Sequence, residues 1–128
     1  MAQVEETAAS LTPDQLRAEI STTAFAFRGY NVTNLGHSPE LMEVAPYRPI
    51  FEKYLKRGAA ICSEVSGKPV DLIARIANRE ETCLDTYDEA IAMIVAVEMA
   101  HVEILREHFD IDLAKSQISY GFSLGEIA

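Results

Sequence analysis

Gln117-Ile118-Ser119-Tyr120-Gly121-Phe122-Ser123-Leu124-Gly125 runs from a short β-favouring segment straight into a turn spaced by two glycines. Ile and Tyr favour an extended chain, and Gly121 and Gly125 tolerate backbone that other residues avoid. The five residues Gly121 to Gly125 match G-x-S-x-G. In a nucleophile elbow of that pattern the serine sits on a sharp strand-to-helix turn, and its hydroxyl projects at the carboxyl end of the strand. The amide of the following residue, Leu124, then faces the point where a tetrahedral oxyanion forms. A glycine-rich turn with an incidental serine has the same five residues, so the context decides.

Working outward, Thr86 to Phe109 is the strongest helical segment. Ala90-Ile91-Ala92-Met93-Ile94-Val95-Ala96-Val97 is apolar on nearly every side and predicts burial all round. Its second half turns amphipathic, with Glu103, Arg106 and Glu107 toward water and Val102, Leu105 and Phe109 toward the core. Upstream, Tyr47, Ile50, Phe51, Tyr54, Leu55, Ile61, Cys62 and Val65 keep the spacing of one helical face, and Gly67 and Pro69 end that helix. Val70 to Ala77 predicts a shorter helix, and Ser38-Pro39-Glu40 can open another. Thr22 to Phe27 reads as a buried strand stopped at Arg28-Gly29, and Tyr30 to Gly36 as a loop. Thr12, Pro13 and Gln15 form a capping-box start for a short helix weakly attached to the core. Two strands joined by a long helical crossover must run parallel, which gives an α/β class, helix-rich with few strands. The division expected is a polar N-terminal extension, 1–21, and a single unit, 22–128.

Composition narrows the function classes. The 128 residues have ordinary apolar (48%) and charged (24%) content. Eleven basic and twenty acidic side chains leave a formal net charge of −9, which argues against nucleic-acid binding and docking on anionic membrane. No apolar run is long enough to span a bilayer, and the start of the chain lacks a signal-peptide pattern, so a soluble, cytoplasmic protein is expected. Cys62 and Cys83 are then reduced thiols, and no metal site is expected. Glu80, Glu81, Asp85, Asp88 and Glu89 read as a solvated cluster complementing a helix start. His101 and His108 read as ordinary helix histidines, neither positioned to serve Ser123.

The elbow continues as Gly121-Phe122-Ser123-Leu124-Gly125-Glu126-Ile127-Ala128, and the first strand ends in Phe27-Arg28-Gly29. On these two motifs, over roughly residues 22–128, the sequence resembles the N-terminal portion of the malonyl-CoA:acyl-carrier-protein transacylase family and of the acyltransferase domains of fatty acid and polyketide synthases. That family has F-P-G-Q-G near its start and G-H-S-L-G-E-x-A at its elbow. The resemblance implies an α/β-hydrolase-like acyltransferase fold. It implies Ser123 as acyl-accepting nucleophile, the backbone amides of Leu124 and Tyr30 as oxyanion hole, and Gly121 and Gly125 as elbow glycines. The substrates implied are an acyl-CoA thioester and an acyl carrier protein, with no further cofactor.

Phe122 replaces the family's His, Arg28 its Pro, Tyr30-Asn31 its Gln-Gly, and Asp88-Glu89 the Gln-Pro of the long helix. The family's carboxylate-gripping Arg and general-base His lie beyond the elbow, past Ala128, so the 128 residues alone are expected to be nearly inactive. Two other readings stay open. One is a serine esterase or lipase of the α/β-hydrolase type. The other is a noncatalytic piece that docks on a complementary chain or downstream region.

Overall fold

The computed structural model describes residues 11–121 and 123–126. The chain folds as a small, mostly helical α/β-like domain with one two-stranded parallel sheet. In order come α1 (Pro13–Ala18), β1 (Ala24–Phe27), α2 (Ser38–Met42), α3 (Arg48–Ser66), α4 (Leu72–Ala77), α5 (Tyr87–Phe109) and β2 (Ile118–Gly121). Short 3-10 turns precede β1 and α5, follow α5, and close the described chain at Ser123–Glu126.

Local chemistry sets the helix ends. The Thr12 hydroxyl accepts from the Gln15 N–H at 3.2 Å, and the Gln15 side chain accepts from the Thr12 N–H at 2.9 Å, the reciprocal pair of a capping box. α1 buries none of its residues, and its tie to the rest is Arg17, which donates to the Phe109 carbonyl at the end of α5. Asp71 caps α4 by accepting from the Ala74 N–H at 2.9 Å. α3 ends at Gly67 in the left-handed region (φ 74°), where a side chain would be strained.

The core lies between helices. Ile50, Phe51 and Leu55 of α3, Leu72 and Ile76 of α4, and Met93, Ala96, Val97, Ala100 and Ile104 of α5 form one buried cluster with Met42 of α2. Two parts of the expected apolar faces stay outside it. Ile61 and Val65 are 55% and 84% exposed, although Cys62 between them is buried: Ile61 opens on a groove that α5 also lines. Ile91, Ala92 and Val95 are half-buried, because they line an open groove between α5 and α3.

β1 pairs with β2 in parallel, Ala24 opposite Ile118 and Phe27 opposite Gly121. The strand is shorter than Thr22 to Phe27: Ile20–Thr22 is a 3-10 turn whose Thr22 and following Thr23 hydroxyls donate to the Glu19 carbonyl, while the Thr23 carbonyl accepts from the Gln117 N–H at 3.0 Å just before the paired strands. Nor is it a fully buried strand. Phe25 and Phe27 are half-buried, while Ala24, Ala26, Ile118 and Tyr120 are exposed. Parallel strands ordinarily have cover on both faces. Here the described residues supply it on one.

Candidate functional site

Among the described residues, the carboxyl end of the sheet meets the loop after β1, the turn after β2 and, through that loop, Glu81, Thr82 and the start of α5. Tyr30 packs edge-on against Tyr87, ring centroids 4.8 Å apart, which sets the first residue of α5 beside the loop. β2 ends at Gly121, and the 3-10 turn Ser123–Glu126 begins two residues later. Phe122, Ile127 and Ala128 lie outside the described residues. Ser123 therefore opens a turn directly after a parallel strand, and Leu124 is the second residue of that turn.

Gly125 shows how tightly this turn is seated. A Cβ at Gly125 would stand 2.2 Å from the Phe27 carbonyl oxygen, 2.7 Å from its carbon and 2.9 Å from the Arg28 carbonyl oxygen. All three are backbone atoms at the end of β1, so a side chain there would have to push a strand aside. The turn after β2 and the loop after β1 are thus pressed together. The arrangement brings Leu124 and Gly125 to the end of β1, and Tyr30 to the loop that follows it.

The loop is held by a polar network with no counterpart in the sequence reading. Arg28 folds back on its own loop, donating to the Gly29 and Thr33 carbonyls at 3.0 and 3.1 Å and to Asn34 Oδ1 at 2.7 Å. Asn34, 5% exposed, also accepts from the Asn31 N–H at 3.0 Å and donates to the Asn31 carbonyl and to Thr82 Oγ1. Glu81 accepts from the backbone N–H groups of Asn34, Leu35 and Thr82. Burial alone would raise the Glu81 pKa, but these donors outweigh it and hold the carboxyl below its ordinary value.

Glu81 is therefore a structural anchor of the loop, not a solvated helix-start charge. Two more of the acidic cluster are paired as well: Glu89 with Arg75 at 3.1 Å and Asp88 with Lys68 at 3.4 Å. The one sequence signal for this network is Asn31-x-x-Asn34, a pair suited to side-chain-to-backbone bonds in a turn.

Two of the three histidines, His37 and His101, line the cleft between β1 and α5, and His108 does not. His101, exposed on one side, stands edge-on against Phe51 at 5.8 Å, and the desolvation of its packed side lowers its pKa. It lies one turn past Glu98 on α5, on the cleft that Phe27 and Arg28 also line. His108 is farther along α5 and packs on Tyr47 at 5.3 Å. His37 sits at the start of α2, exposed, on the cleft between β1 and α5.

Glu103 also departs from its expected place. It is buried, receives Lys53 Nζ at 2.6 and 2.7 Å and accepts from the Tyr54 hydroxyl at 3.2 Å. The Lys53 ammonium is the main reason its pKa is lowered. No group of His, Cys, Asp or Glu able to hold a metal ion occurs among the described residues. Nor is any helix there long and apolar enough to cross a membrane. No protein-family model, curated protein or solved structure matches the chain.

Proposed function

We propose that this chain carries the nucleophile turn of a serine acyltransferase of the malonyl-CoA:acyl-carrier-protein transacylase type. In this reading the Ser123 hydroxyl attacks the thioester carbonyl of an acyl-CoA. The amides of Leu124 and Tyr30 hold the oxyanion, coenzyme A leaves as its thiol, and a carrier protein's phosphopantetheine thiol collects the acyl group. The observation that carries the reading is Gly125 pressed against the Phe27 and Arg28 carbonyls. That contact couples the serine's turn to the loop that would supply the second amide. A further support is the Arg28–Asn34–Glu81 network, which stiffens the loop where the resembled family has a proline.

A serine hydroxyl near neutral pH needs a base to become a competent nucleophile. In the resembled family that base is a His that follows the elbow. The test is transfer from malonyl-CoA to a phosphopantetheinylated carrier protein, with and without added imidazole as a surrogate base. Ser123-dependent transfer that rises with imidazole supports the reading. Turnover of short acyl esters to free acid with no carrier-protein product would assign the chain to the esterase class instead. Neither activity under either condition would overturn both.

The uncovered sheet supports a second, compatible proposal: that β1 and β2 belong to a wider parallel sheet completed by a downstream region or a complementary chain. Exposed Ile118 and Tyr120 are the residues such cover would bury.

A further inference from the structure

The first half of α5 is apolar on nearly every side, yet the described residues cover only part of it. Ile91, Ala92, Val95 and Met99 are half-buried along a groove of about 410 Å³ whose other wall is Tyr54 and Ile61 of α3. At its floor the two helices approach closely. A Cβ at Gly58 would stand 3.3 Å from the Ala92 carbonyl oxygen and 3.5 Å from the Ala96 Cβ. Val65, one turn past Ile61, stands bare on the same face of α3. Single exposed apolar residues are ordinary, but a contiguous apolar strip along two packed helices marks an interaction surface.

Charge selects the occupant. Arg57 and Glu64, both exposed, flank Ile61 on α3 about two turns apart. Around them Arg48 pairs with Glu52, Lys53 with Glu103 and Lys68 with Asp88. Arg57 and Glu64 have no ion-pair partner among the described residues. Lys56 lies about 100° round the helix from Arg57, off this strip. An acidic helix laid in the groove would satisfy Arg57 and set a like charge against Glu64, and a basic helix would do the reverse. A small apolar ligand would leave Val65 bare. A second copy of α3, crossing the first antiparallel, satisfies both charges. With Ile61 against Ile61 at the two-fold axis, each Arg57 comes opposite the other copy's Glu64. The whole chain carries −9, but α3 itself holds four basic and two acidic residues, so repulsion between copies is weak on this face.

We propose that the α3–α5 face is a self-association surface, on which two copies pack α3 antiparallel, with Ile61 and Val65 of each entering the groove of the other. The contact is independent of the chemistry assigned to Ser123 and uses a surface other than the strand edges.

Sedimentation equilibrium of the 128-residue chain from about 5 to 500 µM should show a monomer–dimer equilibrium. Arg57→Glu and Glu64→Arg should each weaken dimerisation at least about tenfold, and the double variant should return to within about threefold of the unaltered chain. Ile61→Asp should abolish it. All three positions are exposed, and an unchanged urea midpoint at low concentration shows that each variant keeps its fold. A monomer at every concentration would overturn the proposal. So would single reversals without effect, or reversals that the double variant does not rescue. A dimer that survives Ile61→Asp would also overturn it, placing the contact elsewhere, such as at the bare strands.

Discussion

Gly125 and Glu98 carry the sharpest consequences at the level of single residues. Gly125→Ala forces a methyl into the backbone of Phe27 and Arg28. The expected cost is about 1–3 kcal/mol of stability, measured by urea unfolding, together with loss of any Ser123 acylation. An unchanged midpoint would mean the turn is not seated against β1.

Glu98 gives a pH signature. Because its folded pKa is raised, the native state holds the proton more tightly than the unfolded chain. Its contribution is fully present below the ordinary carboxyl value of 4.5 and is lost as pH rises through the folded value. Glu98→Gln should therefore raise the melting temperature relative to the unaltered chain at pH 7, and the difference should shrink toward pH 4. Glu103 runs the other way. Its lowered pKa gives stability that is present above 4.5 and is lost as pH falls, so Glu103→Gln should destabilise at pH 7 and matter little near pH 3. Thermal melts across that range check both signs.

Among the elements, the helices were largely legible from sequence because their signals are local. The capping box at Thr12, Gly67 after α3 and the apolar run of α5 each act within a few residues. What the periodicity could not show was pairing across the chain. Glu103 reads as a surface residue beside Arg106 and Glu107, yet its partner Lys53 is 50 positions away. Glu81 reads as one charge among several, yet it receives N–H groups from a loop 47 positions earlier. The candidate turn was legible as a strand followed by glycine-spaced residues. The loop that faces it was legible only as a loop, since Arg28, Asn34 and Glu81 meet solely in three dimensions. That network yields its own prediction. Asn34→Ala removes buried hydrogen bonds on both sides of the loop, and should cost about 2 kcal/mol while loosening amide exchange at Asn31 and Leu35. Unchanged exchange would show that Arg28 and Glu81 suffice to hold the loop.

Across the whole molecule, the division of labour is uneven. A helical core centred on Phe51, Leu72 and Met93 holds the domain, while the two-stranded sheet is set off from it by the cleft that half-buried Phe25 and Phe27 line, and neither strand has a further partner among the described residues. Leu72→Ala, deep in that core, should cost about 2–5 kcal/mol and lower the midpoint of the entire domain, not only of α4. The central claim concerns the turn after β2, and the most direct measurement is the site of acylation. The chain is incubated with malonyl-CoA and imidazole, digested, and its adduct located by tandem mass spectrometry. The account predicts one malonyl group on Ser123, absent in Ser123→Ala. Malonyl groups scattered over lysines, or an adduct that persists in Ser123→Ala, would contradict it.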